Sequence, residues 1–70
     1  NNEGLYKIEE DDINDLGYHL LDKKQLKSAN TIFEINVDMF PESWNVYDSY
    51  AESFLMLKDI ENAKKYYLKS

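Results

Sequence analysis

The sequence repeats itself with a period of 34 residues. When the 70-residue chain is shifted by 34 positions, large residues fall on large ones and small residues on small ones. The aligned pairs are Ile13 with Tyr47, Leu16 with Tyr50, Gly17 with Ala51, Leu20 with Phe54, Leu21 with Leu55, Lys24 with Lys58, Leu26 with Ile60, Ala29 with Ala63 and Phe33 with Tyr67. A fixed period of this length is typical of folds that stack one structural unit on its neighbour. We therefore expect two copies of one design.

Apolar residues within the first copy are spaced as on helices. Ile13, Leu16 and Leu20 recur at intervals of three and four, which is one face of a helix. The acidic run 9–12 predicts the start of this helix, because negative charge is favourable at a helix N-terminus. A second helical stripe begins near Leu26. We expect it to end before Pro41, since proline cannot continue a helix.

The second copy shows the same two segments. Ser43 is the expected N-cap of a third helix that begins at Trp44, and Asp59 is the expected N-cap of a fourth. With two glycines, one proline and no alternating strand pattern, the predicted fold class is all-α. The four helices would form two antiparallel helix-turn-helix hairpins. The predicted organisation is a lead-in segment (1–8), a first unit (9–42) and a truncated second unit without a capping helix (43–70).

Composition excludes several classes of function. Fourteen acidic residues against eight lysines give a net charge of −6, and there is no arginine. Nucleic-acid backbones require the opposite sign, so we expect no nucleic-acid partner. Without cysteine there can be no disulfide or thiolate site. No apolar run is long enough to span a bilayer, and we expect no membrane partner. We interpret the chain as a piece of a longer protein, in a compartment that the sequence leaves open.

The two copies resemble tetratricopeptide repeats. The matching residues are Leu16, Gly17, Ala29, Phe33 and Pro41 in the first copy, and Tyr50, Ala51, Phe54, Ala63 and Tyr67 in the second. The departures are Ile13 for a tryptophan, Leu20 for an aromatic residue, Asn36 for an alanine, and Lys24 and Lys58 at turns where the family favours glycine. The resemblance covers residues 9–70. It implies an α-solenoid that binds other proteins, and the two lysines imply some backbone strain.

A narrower resemblance concerns the segments 13–18, 36–37, 40–43 and 45–50. These segments look like repeats at the C-terminus of some bacterial esterases and beta-lactamase-like serine hydrolases. This resemblance implies that the chain is the C-terminal part of a larger bacterial protein, either cytoplasmic or periplasmic. It also implies that the catalytic residues belong to an upstream domain. The chain would then be either a docking module or a structural or dimerising appendage of such a hydrolase, with no ligand of its own.

The resemblance also implies that the first helix of each unit lines a concave groove. The predicted groove residues are Asp11, Asn14, Asp15, Tyr18, Asp22, Asn45, Asp48, Ser49 and Glu52. We expect the lysines of the turns and second helices on the outer side. Family members that clamp an acidic peptide use Lys and Arg in this groove, so here the expected partner is a protein or peptide segment that is basic or neutral and polar. The alternative is a solvated acidic face without a ligand.

Chemistry-bearing residues are few. His19 has Asp15 and Asp22 one helical turn away on either side, but an ordinary packed histidine explains this spacing better than a metal site. No Gly-x-Ser-x-Gly motif is present. The segment 48–50 is similar to the Asp-Ser-Leu of acyl carrier proteins, although Ser49 falls inside a predicted helix. We therefore predict no catalytic, metal-binding or cofactor-binding residue, and a non-catalytic interaction module.

The apolar spacing also predicts a core, and the small number of repeats predicts an interface at one end of the stack. The core residues would be Leu16, Leu20, Phe33, Tyr50, Phe54 and Tyr67. Repeat folds usually need about three units or a polar cap. We therefore expect the end of the stack near Tyr66 and Tyr67 to be buried against a second copy or the upstream domain.

Overall fold

The computed structural model describes residues 9–70, which form four helices and contain no strand. The helices are α1 (Glu10–Asp22), α2 (Leu26–Met39), α3 (Trp44–Met56) and α4 (Ile60–Tyr67). The predicted all-α fold class is confirmed. The predicted lead-in segment lies outside the described residues.

The helices form two hairpins that stack on each other. Helix α1 packs against α2, and α3 packs against α4. The hairpins meet mainly through α2 and α3, with a smaller contact between α1 and α3. Because α1 and α3 are adjacent, side chains from the first helix of each hairpin share one side of the molecule.

Helices α3 and α4 begin at the predicted N-cap residues, Ser43 and Asp59, but only Asp59 caps its helix with a side-chain hydrogen bond. Asp59 precedes α4, and its Oδ1 accepts a hydrogen bond from the backbone N–H of Asn62 at 3.2 Å. Ser43 is the N-cap of α3 but makes no capping hydrogen bond with its side chain. Its Oγ donates to Glu10 Oε2 at 2.9 Å, because the α2–α3 turn lies beside the start of α1. The boundary was predicted correctly, and the role of the Ser43 side chain was not.

The two hairpin turns have the same backbone structure. Lys24 and Lys58 have φ angles of 64° and 66°. The backbone N–H groups of Gln25 and Asp59, which follow them, each donate at 2.9 Å, to the carbonyls of Leu20 and Phe54. This bond, reaching back five residues beside a left-handed residue, is the Schellman ending of a helix. Both lysines therefore adopt the left-handed conformation that glycine adopts most easily, and the 34-residue period is visible in the backbone.

Small residues allow the helices of each hairpin to approach. Ala29, Ala51 and Ala63 are buried. Gly17 is also buried, and a Cβ built there would overlap the ring of Phe33. The small side chains at repeat-equivalent positions therefore set the distance between helices.

The core differs in part from the predicted one. It is built from Leu21, Ala29, Phe33 and Tyr50, with Leu20 and Phe54 packed against it. Leu16 and Tyr67 were predicted as core, and this was wrong. Leu16 is 46% exposed and Tyr67 is 39% exposed. Both lie at ends of the stack, where no described hairpin covers them.

Candidate functional site

The candidate site is the side of the molecule on which α1 and α3 are adjacent, here called the groove. Its nine predicted residues are divided between α1 (Asp11, Asn14, Asp15, Tyr18 and Asp22) and α3 (Asn45, Asp48, Ser49 and Glu52). Asp11, Asp15 and Asp22 are exposed, whereas Ser49 is buried. The other five are partly buried. The groove therefore combines exposed carboxylates with partly buried polar groups. One of these carboxylates, Asp15, lies at its outer edge toward the end of the stack, because its repeat equivalent Ser49 faces α1.

Four of these residues form a hydrogen-bonded floor that joins α1 to α3. Ser49 Oγ donates to Asn14 Oδ1 at 2.7 Å. The Tyr18 hydroxyl donates to Glu52 Oε1 at 2.8 Å and lies 3.3 Å from Ser49 Oγ. These bonds link residues of different hairpins, so they fix the position of one hairpin on the other. The sequence predicted that the four residues share a surface, but not that they bind one another.

Tyr18 is held in a defined position and protonation state. Its ring contacts Phe33 edge-to-face, with 5.1 Å between the ring centroids. Burial raises the pKa of Tyr18, the hydrogen bond with Ser49 lowers it, and the bond to Glu52 together with the charges of Glu52 and Asp48 raises it further. The net direction is upward. Tyr18 therefore remains a hydrogen-bond donor at neutral pH.

Glu10 forms a second polar contact at the N-terminal end of α1. Its Oε2 accepts hydrogen bonds from Ser43 Oγ at 2.9 Å and from Asn45 Nδ2 at 3.4 Å. The groove residue Asn45 is therefore partly engaged with α1. Sequence reasoning used Glu10 only as a favourable charge at a helix start and missed this role. The acidic run gave no signal that would distinguish Glu10 from its neighbours.

A surface pocket lies at the opposite end of the groove. Its lining residues are Tyr18, Leu21, Asp22, Lys24, Glu52 and Met56. Two carboxylates and the tyrosine hydroxyl thus surround apolar atoms of Leu21 and Met56. Lys24 also lines this pocket, and the expectation that every lysine lies on the outer side was wrong for it. The turn after α1 ends beside the last turn of α3, which brings Lys24 to the groove.

Two alternatives from the sequence do not fit the structure. Ser49 is 3% exposed inside α3 and bonded to Asn14, so it is not accessible for attachment of a phosphopantetheine arm. Within residues 9–70, no three His, Cys, Asp or Glu side chains are grouped so that they could hold a metal ion, including those around His19. The helices of the same range are also too short or too polar to cross a membrane.

Comparison of the chain with family models, curated proteins and solved structures found no match. The resemblances to tetratricopeptide repeats and to the C-terminal repeats of serine hydrolases therefore stay predictions. The all-α fold and the groove geometry stand on the structure alone.

Proposed function

We propose that the chain is a non-catalytic docking module whose groove binds a basic or neutral polar segment of another protein. The observation that carries this proposal is the distribution of charge between helices. Asp11, Asp15 and Asp22 are exposed on α1, Asp48 is partly exposed on α3, and neither helix contains a lysine. A surface lined by one sign of charge attracts segments of the opposite sign.

The bonded floor supports binding by pre-organisation. Because Asn14, Tyr18, Ser49 and Glu52 are already bonded, their side chains lose little further freedom when a ligand binds. The exposed carboxylates remain able to accept hydrogen bonds. A ligand would therefore meet a fixed polar surface with acceptors at its rim.

The pocket beside Tyr18 supports recognition of a single long cationic side chain. Lys and Arg bury their methylene stems on apolar surface and keep their charge in water. Leu21 and Met56 offer the apolar surface, and the carboxylates of Asp22 and Glu52 offer charged acceptors. Lys24 opposes this attraction at the same place. We therefore expect weak, salt-dependent binding.

The test is a calorimetric titration of a Lys-rich peptide at low and at high salt. Asp15→Asn, Asp22→Asn and Asp48→Asn combined should weaken binding at low salt. The matched control is Glu34→Gln, Asp38→Asn and Glu42→Gln, which removes the same charge from α2 and the turn that follows it. Tyr18 is left intact because its ring packs on Phe33.

Two results would contradict the proposal. One is the absence of binding at low salt. The other is an equal loss of affinity in the groove variant and in the control variant, because the attraction would then come from net charge alone. Binding that the groove variant loses and the control retains would support it.

A further inference from the structure

The two ends of the stack differ in chemistry. At one end, α1 exposes Asp12, Asp15, Leu16 and His19, here called the α1 face. At the other end, α3 and α4 expose Leu55, Ile60, Tyr67 and Leu68, here called the α4 face. One end therefore presents a single apolar residue among charged and polar ones. The other presents a continuous apolar surface.

The α4 face is the repeat equivalent of a surface that is covered inside the molecule. A shift of 34 residues relates Leu55 to Leu21 and Tyr67 to Phe33. Leu21 and Phe33 are 8% and 0% exposed, because α3 packs on the first hairpin. Leu55 and Tyr67 are 46% and 39% exposed. No residue of the range 9–70 covers the α4 face as α3 covers its equivalent.

Head-to-tail stacking of copies is disfavoured by the α1 face. The same shift relates Asp12, Asp15 and His19 to Val46, Ser49 and Ser53 of α3, which are 1%, 3% and 0% exposed. In a head-to-tail stack, α1 of a second copy would pack on the α4 face as α3 packs on the first hairpin. The carboxylates of Asp12 and Asp15 would then be buried at positions that hold valine and serine in α3. Burying charges without partners is unfavourable. The α1 face therefore closes one end of the stack.

We propose that the α4 face binds the α4 face of a second copy, with the two α4 helices antiparallel about a twofold axis. Ile60, Lys64 and Tyr67 of α4 and its C-cap Leu68, which keeps helical backbone angles, follow the i, i+4, i+7, i+8 spacing of one helical stripe. Such a stripe is complementary to itself in a twofold interface. The α4 face also contains a surface pocket of its own, which Lys64 lines together with the apolar residues Leu55, Ile60, Ala63, Tyr67 and Leu68. The stem of Lys64 extends the apolar surface while its ammonium group reaches the rim.

Charges along α4 favour the antiparallel arrangement. Glu61 lies in the first turn, and Lys64 and Lys65 lie in the last. Antiparallel pairing places the acidic turn of each α4 beside the basic turn of its partner. It also aligns the two helix dipoles favourably. Parallel pairing would place like charges together.

The test is analytical ultracentrifugation of the full 70-residue chain from micromolar to near-millimolar concentration. The expected result is a monomer–dimer equilibrium without larger species. Leu68 is 82% exposed, so Leu68→Glu leaves the fold intact. It should raise the dimer dissociation constant by roughly tenfold or more, because a leucine leaves the interface on both copies. Leu16→Glu on the α1 face is the matched control and should leave dimerisation unchanged.

A charge exchange tests the orientation of the helices. Glu61→Lys and Lys65→Glu should each weaken the dimer, and the two together should restore it. A monomer at every concentration would overturn the proposal. A mass that keeps rising with concentration and falls in Leu16→Glu would also overturn it, since that result indicates head-to-tail stacking. Failure of the double variant to recover would refute the antiparallel arrangement.

Discussion

Replacing the two left-handed lysines by glycine should stabilise the protein. Lys24 and Lys58 have φ angles of 64° and 66° within Schellman endings of α1 and α3. In this region Cβ crowds the backbone, and only glycine avoids the crowding. The backbone hydrogen bonds of both turns come from main-chain atoms, so a glycine retains them.

The expected gain follows from two opposing effects. The left-handed conformation costs a non-glycine residue roughly 1–2 kcal/mol. Glycine loses more freedom on folding, which offsets about 0.5–1 kcal/mol of that relief. The net gain is about 0.5–1 kcal/mol per site, and it should be additive because the turns share no hydrogen-bond partner. For a chain of this size, 1 kcal/mol corresponds to about 4–8 °C in Tm.

The assay is urea unfolding followed by far-UV circular dichroism for Lys24→Gly, Lys58→Gly and both together. The control is Lys23→Gly, since Lys23 has a φ angle of −85° and gains no relief from glycine. Lys23→Gly should leave the free energy of unfolding unchanged or reduce it. A reduction in Lys24→Gly and Lys58→Gly as large as in the control would refute the strain argument.

Three further predictions concern buried positions. Gly17→Ala should lower the free energy of unfolding, measured in urea, by about 1 kcal/mol. The overlap of the new methyl group with the Phe33 ring outweighs the better helix propensity of alanine. A variant more stable than the original chain would contradict this packing. Asn36 is 1% exposed and its Nδ2 donates to the Glu10 carbonyl at 3.1 Å, so Asn36→Ala should lower that free energy by about 1 kcal/mol, and an unchanged or raised value would show that this bond between α2 and α1 contributes nothing. Burial, with the charges of Glu34 and Asp38 and the neighbouring Tyr66, raises the pKa of Tyr50 to about 12. Its contribution to stability is therefore present below about pH 10 and lost as the pH rises to about 12, and Tyr50→Phe should flatten this loss in alkaline unfolding curves; equal slopes would contradict it.

Helix positions could be predicted because they depend on local rules. Proline at position 41 ends α2, and Asp59 caps α4, whatever the rest of the chain does. The 34-residue period then indicated which helices pair, because equivalent residues need equivalent surroundings. The family resemblance implied strain at two turns that hold Lys24 and Lys58 in place of glycine, and both lysines have positive φ angles.

The exposure of Leu16 and Tyr67 could not be predicted from their repeat equivalents, which are buried. Leu16 is equivalent to Tyr50, and Tyr67 is equivalent to Phe33. Tyr50 and Phe33 are buried because each lies where the two hairpins pack together. The period shows that two positions are equivalent in sequence. It does not show which of the two lies at an end of the stack and is therefore exposed. Burial at the ends depends on neighbours that the repeat itself does not specify.

The groove was predicted as a surface, and its hydrogen bonds were not. Asn14, Tyr18, Ser49 and Glu52 come together because α1 and α3 are adjacent, as the resemblance to tetratricopeptide repeats implies. Whether a polar side chain bonds to a neighbour or remains free depends on distances that the sequence does not contain. Lys24 illustrates the same limit, because the direction of one turn brings it to the groove.

The central claim is that the acidic groove binds a basic or neutral polar segment, and a nuclear magnetic resonance titration tests it most directly. Isotope-labelled chain is titrated with a Lys-rich peptide at low salt, and amide shifts are followed at every residue. We expect saturable shifts that cluster around Asp15, Tyr18, Asp48 and Glu52 and that disappear in the variant combining Asp15→Asn, Asp22→Asn and Asp48→Asn. Unchanged spectra, or shifts confined to the α4 face, would contradict it.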